Sequence, residues 1–314
     1  MIKYATLFEA KAVVNEWCGI PETVEHINNS GSAVFRFKDS ENFWQILRIT
    51  DVTFRSYKEV QAELKFLSHL KNQSVNVAYG IPNAKGFLTT EFAAQSGLFI
   101  CSVLSYVDGI CVEDGSQYWD KQFFRKWGRS LASIHKASQS YNPPGTTPKP
   151  WIWSDEILFR QAEQLLPQDD FFSRQEYQEV LSMCHDLDRS SETFGVIHAD
   201  YAPQNFHYNP VTNQIIAFDF GNCCYHWFVS DIAISLSSIR NNHNREEIKS
   251  EILAGYSEIK NLPDNHEKLI NLFLRLRTIY VYLDRLYLFG SNPNIEQRNT
   301  LEQLKLRVHA KAHW

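Results

Sequence analysis

Two short stretches constrain this chain more than all the rest of it. Val196-Ile197-His198-Ala199-Asp200-Tyr201-Ala202-Pro203-Gln204-Asn205 is followed by Ile215-Ile216-Ala217-Phe218-Asp219-Phe220-Gly221. Together they hold the spacing His-x-Asp-x-x-x-x-Asn and then an aspartate closing an apolar run. Between them, Phe206-His207-Tyr208 and Gln214 to Phe218 read as two short strands joined by the turn-rich Asn209-Pro210-Val211-Thr212-Asn213. A hairpin brings its two ends together, so Asn205 and Asp219 are predicted to meet.

This layout has a chemical reading. Phosphoryl transfer through a loose transition state leaves a protein mainly to position the acceptor hydroxyl and to neutralise phosphate charge. One carboxylate near the acceptor and two oxygen ligands for magnesium are then enough. Asp200 is the candidate for the first role, Asn205 and Asp219 for the second. Each half alone matches ordinary structure, a core histidine beside a helix cap or a turn ending a strand. Their order, and the hairpin joining them, favour the catalytic reading.

With Asp231 in Val229-Ser230-Asp231-Ile232-Ala233, these segments resemble the aminoglycoside phosphotransferase and choline kinase-like family, the motif-specific likeness covering residues 196–236. The resemblance implies an α+β, bilobal protein kinase-like fold. Residues 1–104 would form a small antiparallel-sheet N-lobe that clamps the nucleotide, and 105–314 a larger, mainly helical C-lobe. It implies ATP as donor, Mg as the ion, and His198 and Asp231 as supports of the catalytic loop. An aspartate at a helix start, favoured by the dipole, is compatible with that role. The family more often has glycine where this chain has Ala199, and one added methyl is expected to matter little. Protein kinases place a long activation segment ending in Ala-Pro-Glu after Asp-Phe-Gly. Here only Asn222 to Ser230 precede Asp231, which favours a small-molecule acceptor over a peptide.

The first hundred residues read as the nucleotide-clamping part. A polar, turn-prone stretch from His26 to Ala33 precedes the strands Val34–Lys38 and Phe43–Ile49. In the family the loop before the first of these strands closes over the ATP phosphates, which makes Ser30 a candidate contact. Arg48 stands where kinases carry the lysine that holds the α- and β-phosphates, and a guanidinium can grip phosphate oxygens bidentately. A helix from about Tyr57 to Leu70 would present Val60, Ala62, Leu64, Phe66, Leu67 and Leu70 as one apolar face. Glu59 and Glu63 fall on that face, where a carboxylate needs a cationic partner. Arg48 is the candidate partner; Glu63 matches the family position better, with Glu59 the alternative. The apolar run from Cys101 ends in Asp108-Gly109 and suits a hinge. Relatives bind adenine through the backbone there, here at Ser105 and Tyr106.

Further along, Phe124, Trp127, Leu131 and Ile134 fall at helical spacing, and Asn142 to Pro148 breaks that helix. Residues 151–190 read as a largely helical insert, with Trp151 and Trp153 suited to packing or to lining a pocket. A last long helix is expected from about His266 to Phe289. Asp284 lies at the margin of its apolar face, turned either to solvent or to the acceptor.

A length of 314 residues allows one large or two modest domains, and 44% hydrophobic residues is ordinary for a globular protein. A net charge of −5 without a block of Lys and Arg argues against a nucleic-acid partner. No apolar run reaches transmembrane length and the N-terminus lacks a signal-peptide core, so the expectation is a cytoplasmic protein without a membrane partner. Six scattered cysteines read as reduced thiols, the adjacent Cys223 and Cys224 included. The function expected is an ATP- and Mg-dependent kinase of a small-molecule hydroxyl: an amino alcohol, amino acid, sugar derivative or aminoglycoside-like antibiotic, with an amine on the acceptor. A nucleotide-binding protein without catalysis is the alternative, and the presence of Asp200 speaks against it.

Overall fold

The computed structural model describes residues 2–311. In chain order the first elements are α1 (Leu7–Val13), β1 (Gly19–Ser30), β2 (Ser32–Asp39), β3 (Trp44–Asp51), α2 (Tyr57–Asn72), β4 (Gly80–Ile81), β5 (Thr89–Ala94) and β6 (Gly97–Ser105). Next come α3 (Lys121–Ser138), α4 (Ile157–Arg160), α5 (Ala162–Leu165), α6 (Phe171–His185), β7 (Phe194–Ile197), β8 (Phe206–Asn209), β9 (Gln214–Ala217) and β10 (Cys224–Trp227). Four helices complete it: α7 (Phe228–Ser238), α8 (Arg245–Ser257), α9 (His266–Phe289) and α10 (Ile295–His309). The described residues form two compact units. One comprises residues 2–112, 141–150 and 205–221; the other comprises 113–140, 151–204 and 222–311.

The first unit is an antiparallel sheet in the order β1-β2-β3-β6-β4, with β5 on β6. Alternation gives β3 its two faces. Leu47 and Ile49 are fully buried in a core with Phe35, Phe37, Phe99, Cys101 and Val103, beside Ala10 and Val13 of α1. Arg48 lies on the opposite face, paired in register with Val34 and Ser102, and meets α2. That helix buries all six residues expected of its apolar face. The stretch 26–33, expected to be a loop, is instead strand: β1 runs to Ser30 and β2 starts at Ser32. Gly31 alone, at φ +70°, makes the turn. Residues 25–30 are exposed, so their side chains could stay polar while the backbone made the ladder.

This unit also contains the β8–β9 hairpin. Ile110 exchanges backbone bonds with Tyr208, and Ala217 bonds to the backbone of Asn76 and Ala78. Gly109, at φ +133°, lies so close to Tyr208 that a Cβ would fall 2.7 Å from its carbonyl oxygen. The expected boundary after residue 104 thus differs from the observed grouping, which continues to Val112 and takes in two later segments.

The second unit is mainly helical, with β7 and β10 as an antiparallel pair. Trp127, Leu131 and Ile134 of α3 are fully buried, and Trp153 packs against His226 and Trp227 as core. Glycine allows α3 and α8 to cross closely. A Cβ on Gly128 would sit 2.0 Å from the Ile252 carbonyl oxygen, and one on Gly255 would sit 2.1 Å from that of Arg125. All six cysteines are free thiols, four of them buried. Among the described residues, no helix is long and apolar enough to cross a membrane.

Because the obstacle at Gly255 is backbone, the two helices must part to admit even a methyl group. Gly255→Ala is expected to destabilise the protein by about 1–3 kcal/mol or more. Thermal unfolding checks this, with Ser250→Ala on the exposed side of α8 expected to leave the midpoint nearly unchanged.

Candidate active site

In the first unit the site is built around a buried carboxylate. Glu63 receives both terminal nitrogens of Arg48, Nη1 to Oε1 and Nη2 to Oε2, each at 2.8 Å. It also receives Nη1 of Arg55 at 2.7 Å. Burial alone would push this carboxyl up. The two guanidiniums outweigh it and hold the pKa at about 2. One negative charge between two positive ones leaves a net positive site. A guanidinium has five N–H donors and suits phosphate oxygens as it suits a carboxylate.

Glu59 is committed elsewhere. Its carboxylate accepts the Ser56 N–H at 2.6 Å while Ser56 Oγ accepts the Glu59 N–H, closing a capping box at the start of α2. Ser56-Tyr57-Lys58-Glu59 is the local signal that could have separated the two glutamates in advance. Arg55 had no such signal. It lies in the turn after β3 and acquires its role only when α2 folds back.

The hairpin brings its two candidate metal ligands together, as its length requires. The N–H of Phe218 donates to the Asn205 carbonyl at 3.0 Å, which sets Asp219 beside Asn205 at the open end. Asn205 is buried and Asp219 exposed. A carboxylate and an amide oxygen form a hard donor set that fits Mg2+ or Ca2+, and Asp219 faces solvent where ligands can complete the shell. Phe220 packs edge-on against Phe66 of α2. A Cβ on Gly221 would lie 3.4 Å from Asp219 Oδ1 and 3.6 Å from Arg55 Nη1. The arginine pair and the metal ligands are therefore linked through α2. Ser105, at the end of β6, exchanges bonds with Tyr79: its N–H donates to the Tyr79 carbonyl and its Oγ accepts the Tyr79 N–H. Tyr106, the next residue, is half-buried, and Ser30 is exposed beside the Gly31 turn.

In the second unit the loop after β7 is organised by Asp231, fully buried in the first turn of α7. Its carboxylate accepts the N–H groups of His198 and Ala199, both at 2.8 Å. His135 Nε2 donates to it at 3.2 Å, while His135 Nδ1 accepts from the Tyr256 hydroxyl at 2.9 Å. Burial lowers the pKa of His135, so the ring is neutral. Burial would raise that of Asp231, but the hydrogen bond from His135 and the one from the His198 N–H bring it down, so it stays ionised. His135 was missed because nothing along α3 distinguishes it from a core residue. His198 is itself buried and takes the Asp200 N–H on Nδ1. Ser235 donates to the Tyr201 carbonyl and Tyr201 to Ser130, so the loop is pinned at successive residues.

The expectation about Ala199 needs correction. Its φ is +65°, a left-handed conformation in which a Cβ is strained and glycine is not. The added methyl therefore has a cost, which the bonds to Asp231 oppose.

Asp200 is half-buried and receives Arg277 of α9, Nη2 to Oδ1 at 3.0 Å. Arg277 was not anticipated. The long helix has the bounds expected, and Asp284 is half-buried on it, 3.3 Å from Arg285. Asp284 also acts on Tyr280. Burial and the charges of Glu156, Asp284 and Asp200 push the Tyr280 hydroxyl up, with Arg277 opposing them.

Comparison with known proteins gives the chain its relatives. The model of the phosphotransferase enzyme family matches residues 24–268. The amicoumacin kinase of Bacillus subtilis (strain 168) is 27% identical over 255 residues, 78% of this chain and 74% of that protein. A homoserine kinase of Sinorhizobium medicae (strain WSM419) is 25% identical over 257 residues, again 78% of this chain and 74% of the relative. Among solved structures, the amicoumacin kinase hAmiN in complex with AMP-PNP, Ca2+ and Ami gives a TM-score of 0.89 at 25% identity, over 98% of this chain and 94% of that one.

Two substitutions test the loop. Asp231→Asn replaces one of two acceptors with a donor facing an N–H, and is expected to cost at least about 2 kcal/mol of stability and to lower kcat in parallel. A rise in acceptor KM alone, at unchanged thermal midpoint, would contradict this. Ala199→Gly relieves the left-handed strain and is expected to stabilise by roughly 0.5–1 kcal/mol, read by thermal unfolding.

Proposed function

The chain belongs to the phosphotransferase enzyme family, and we propose that it transfers the γ-phosphoryl group of Mg-ATP to a hydroxyl of a small molecule bearing an amine. Small-molecule kinases are its homologues, and it is an enzyme of that kind. One observation carries the catalytic reading over mere nucleotide binding. A buried, ionised Asp231 is devoted to the backbone immediately before Asp200. Binding a nucleotide does not call for such an investment in an acceptor-side carboxylate.

In this reading Arg48, braced by Glu63 with Arg55, holds the nucleotide phosphates. Ser30 lies in the turn that covers them, and the backbone at Ser105 and Tyr106 takes the adenine. Asn205 and Asp219 would hold the divalent ion, which when bound neutralises charge on the phosphate oxygens. Asp200 orients the acceptor hydroxyl and accepts its proton late, as the new O–P bond forms. The bond from the γ-phosphorus to the bridging oxygen breaks, and its electron pair leaves with ADP. His198 and Asp231 keep the loop in shape. The negative charges of Glu156, Asp284 and Asp200, all of which act on Tyr280, support an acceptor with a cationic amine. Amicoumacin and homoserine, taken from the names of the relatives, are the first acceptors to test.

The two aspartates separate the roles. Asp200→Asn is nearly isosteric and a far poorer proton acceptor. It is expected to keep Mg-ATP affinity while kcat falls about 10²–10⁴-fold. Asp219→Ala should instead weaken nucleotide binding in the presence of magnesium as well as turnover. Calorimetry with the nucleotide, together with mass-spectrometric detection of the phosphorylated acceptor in single turnovers, measures both. Near-normal turnover in Asp200→Asn would remove the loop from catalysis and the kinase reading with it.

A further inference from the structure

Arg277 stands in an unusual setting for a helix-surface arginine. Its guanidinium meets Asp200, with side-chain exposures of 22% and 28% respectively, so water screens the pair only in part. Its central carbon lies 5.3 Å from the centre of the Tyr280 ring, one turn along α9. Tyr280 in turn rests against Phe159 of α4, ring centres 5.7 Å apart. The order of contact is Phe159, Tyr280, Arg277, Asp200. A guanidinium held near an aromatic ring on one side and bonded to a carboxylate on its N–H groups loses much of its freedom.

A second arginine lies close to it. Arg240, just past the end of α7, has its pKa lowered by burial and then by the charges of Arg307 and Arg277. Arg277 therefore lies near enough to Arg240 for the two charges to repel, while Asp200 attracts it. The helix supplies the placement: Arg277, Tyr280 and Asp284 follow at intervals of three and four on one stripe of α9, while Leu276, Ile279 and Leu283 are buried.

We propose that Arg277 is the positioning residue for Asp200, holding one carboxylate oxygen so that the other is directed at the acceptor hydroxyl. The proposal rests on the kinase reading given above. A carboxylate at the end of a short side chain can rotate about its last bond, and a general base must lie within hydrogen-bond reach of the proton it takes. Fixing Oδ1 removes that rotation. The backbone of the loop is set by Asp231 and the side chain of Asp200 by Arg277, two separate devices acting on one residue. Arg277 would act through Asp200 and not on the nucleotide.

The test is a double-mutant cycle with Arg277→Met, Arg277→Lys and Asp200→Asn, assayed by ADP release from Mg-ATP. The acceptor is the best of amicoumacin, homoserine and ethanolamine, or water if none of these is phosphorylated. Arg277→Met is expected to lower kcat about 10–100-fold, the scale on which small misplacements of a catalytic group act. Nucleotide affinity by calorimetry and the thermal midpoint should stay close to wild type, and Arg277→Lys should restore part of the rate. In the Asp200→Asn background the same substitution should change the rate less than about threefold, since little is left to position. An Arg277→Met rate within threefold of wild type would overturn the proposal. So would an equal loss in both backgrounds, or a loss that follows a fallen thermal midpoint and weaker nucleotide binding. Undiminished turnover in Asp200→Asn, or no ADP release by the wild type under any of these conditions, would instead defeat the kinase reading and this inference with it.

Discussion

The carboxylate of Asp231 is the interaction on which the second unit's chemistry depends. An ion excluded from water must be met by donors, and it is met by two backbone N–H groups and one neutral histidine. Backbone donors cannot swing away as side chains do. The charge therefore fixes the course of the chain at His198 and Ala199, and it can hold Ala199 in a left-handed conformation that its methyl group resists. His135, stacked on Phe228 and bonded to Tyr256, holds the carboxylate from behind. What looks like a loop is set as firmly as a strand.

The first unit applies the same principle with charged donors in place of neutral ones. Glu63 is buried between Arg48 and Arg55, and so steadies two cations close to the residues that follow β9. Its carboxylate is worth more as a brace than as a charge, since two guanidiniums exceed it. The hairpin that ends in Asp219 belongs to this unit, while Asp200 belongs to the other, although only Tyr201 to Gln204 separate Asp200 from Asn205 in the chain. Residues proposed to hold the donor thus gather on one body, and residues proposed to serve the acceptor on the other.

Family membership agrees with this division and leaves the acceptor open. The relatives act on molecules as different as their names indicate, and the residue proposed here to meet the acceptor's amine, Asp284, lies half-buried with Tyr280 on one stripe of α9. Those residues lie far in sequence from the motifs that identify the family. In the proposed reading, specificity and the catalytic motif are written in different parts of the chain, and only the second is a recurring pattern.

By itself the sequence determined the chemistry. The spacing of His198, Asp200, Asn205 and Asp219 announced phosphoryl transfer, the hairpin between them followed from its turn residues, and helical periodicity placed α2 and α9, the latter with its observed bounds. These features depend on neighbours within a few residues, where local propensity and pattern decide. The tertiary structure decided the rest. It chose Glu63 over Glu59, because a capping box engaged one and the face of β3 reached the other. It made strand of the polar residues before Gly31, since a ladder needs only backbone when its side chains face water. It brought Arg55 to Glu63, His135 to Asp231 and Arg277 to Asp200. The last of these pairs joins α9 to a loop 77 residues earlier, and no local pattern records it, because such a contact exists only once the helices have packed.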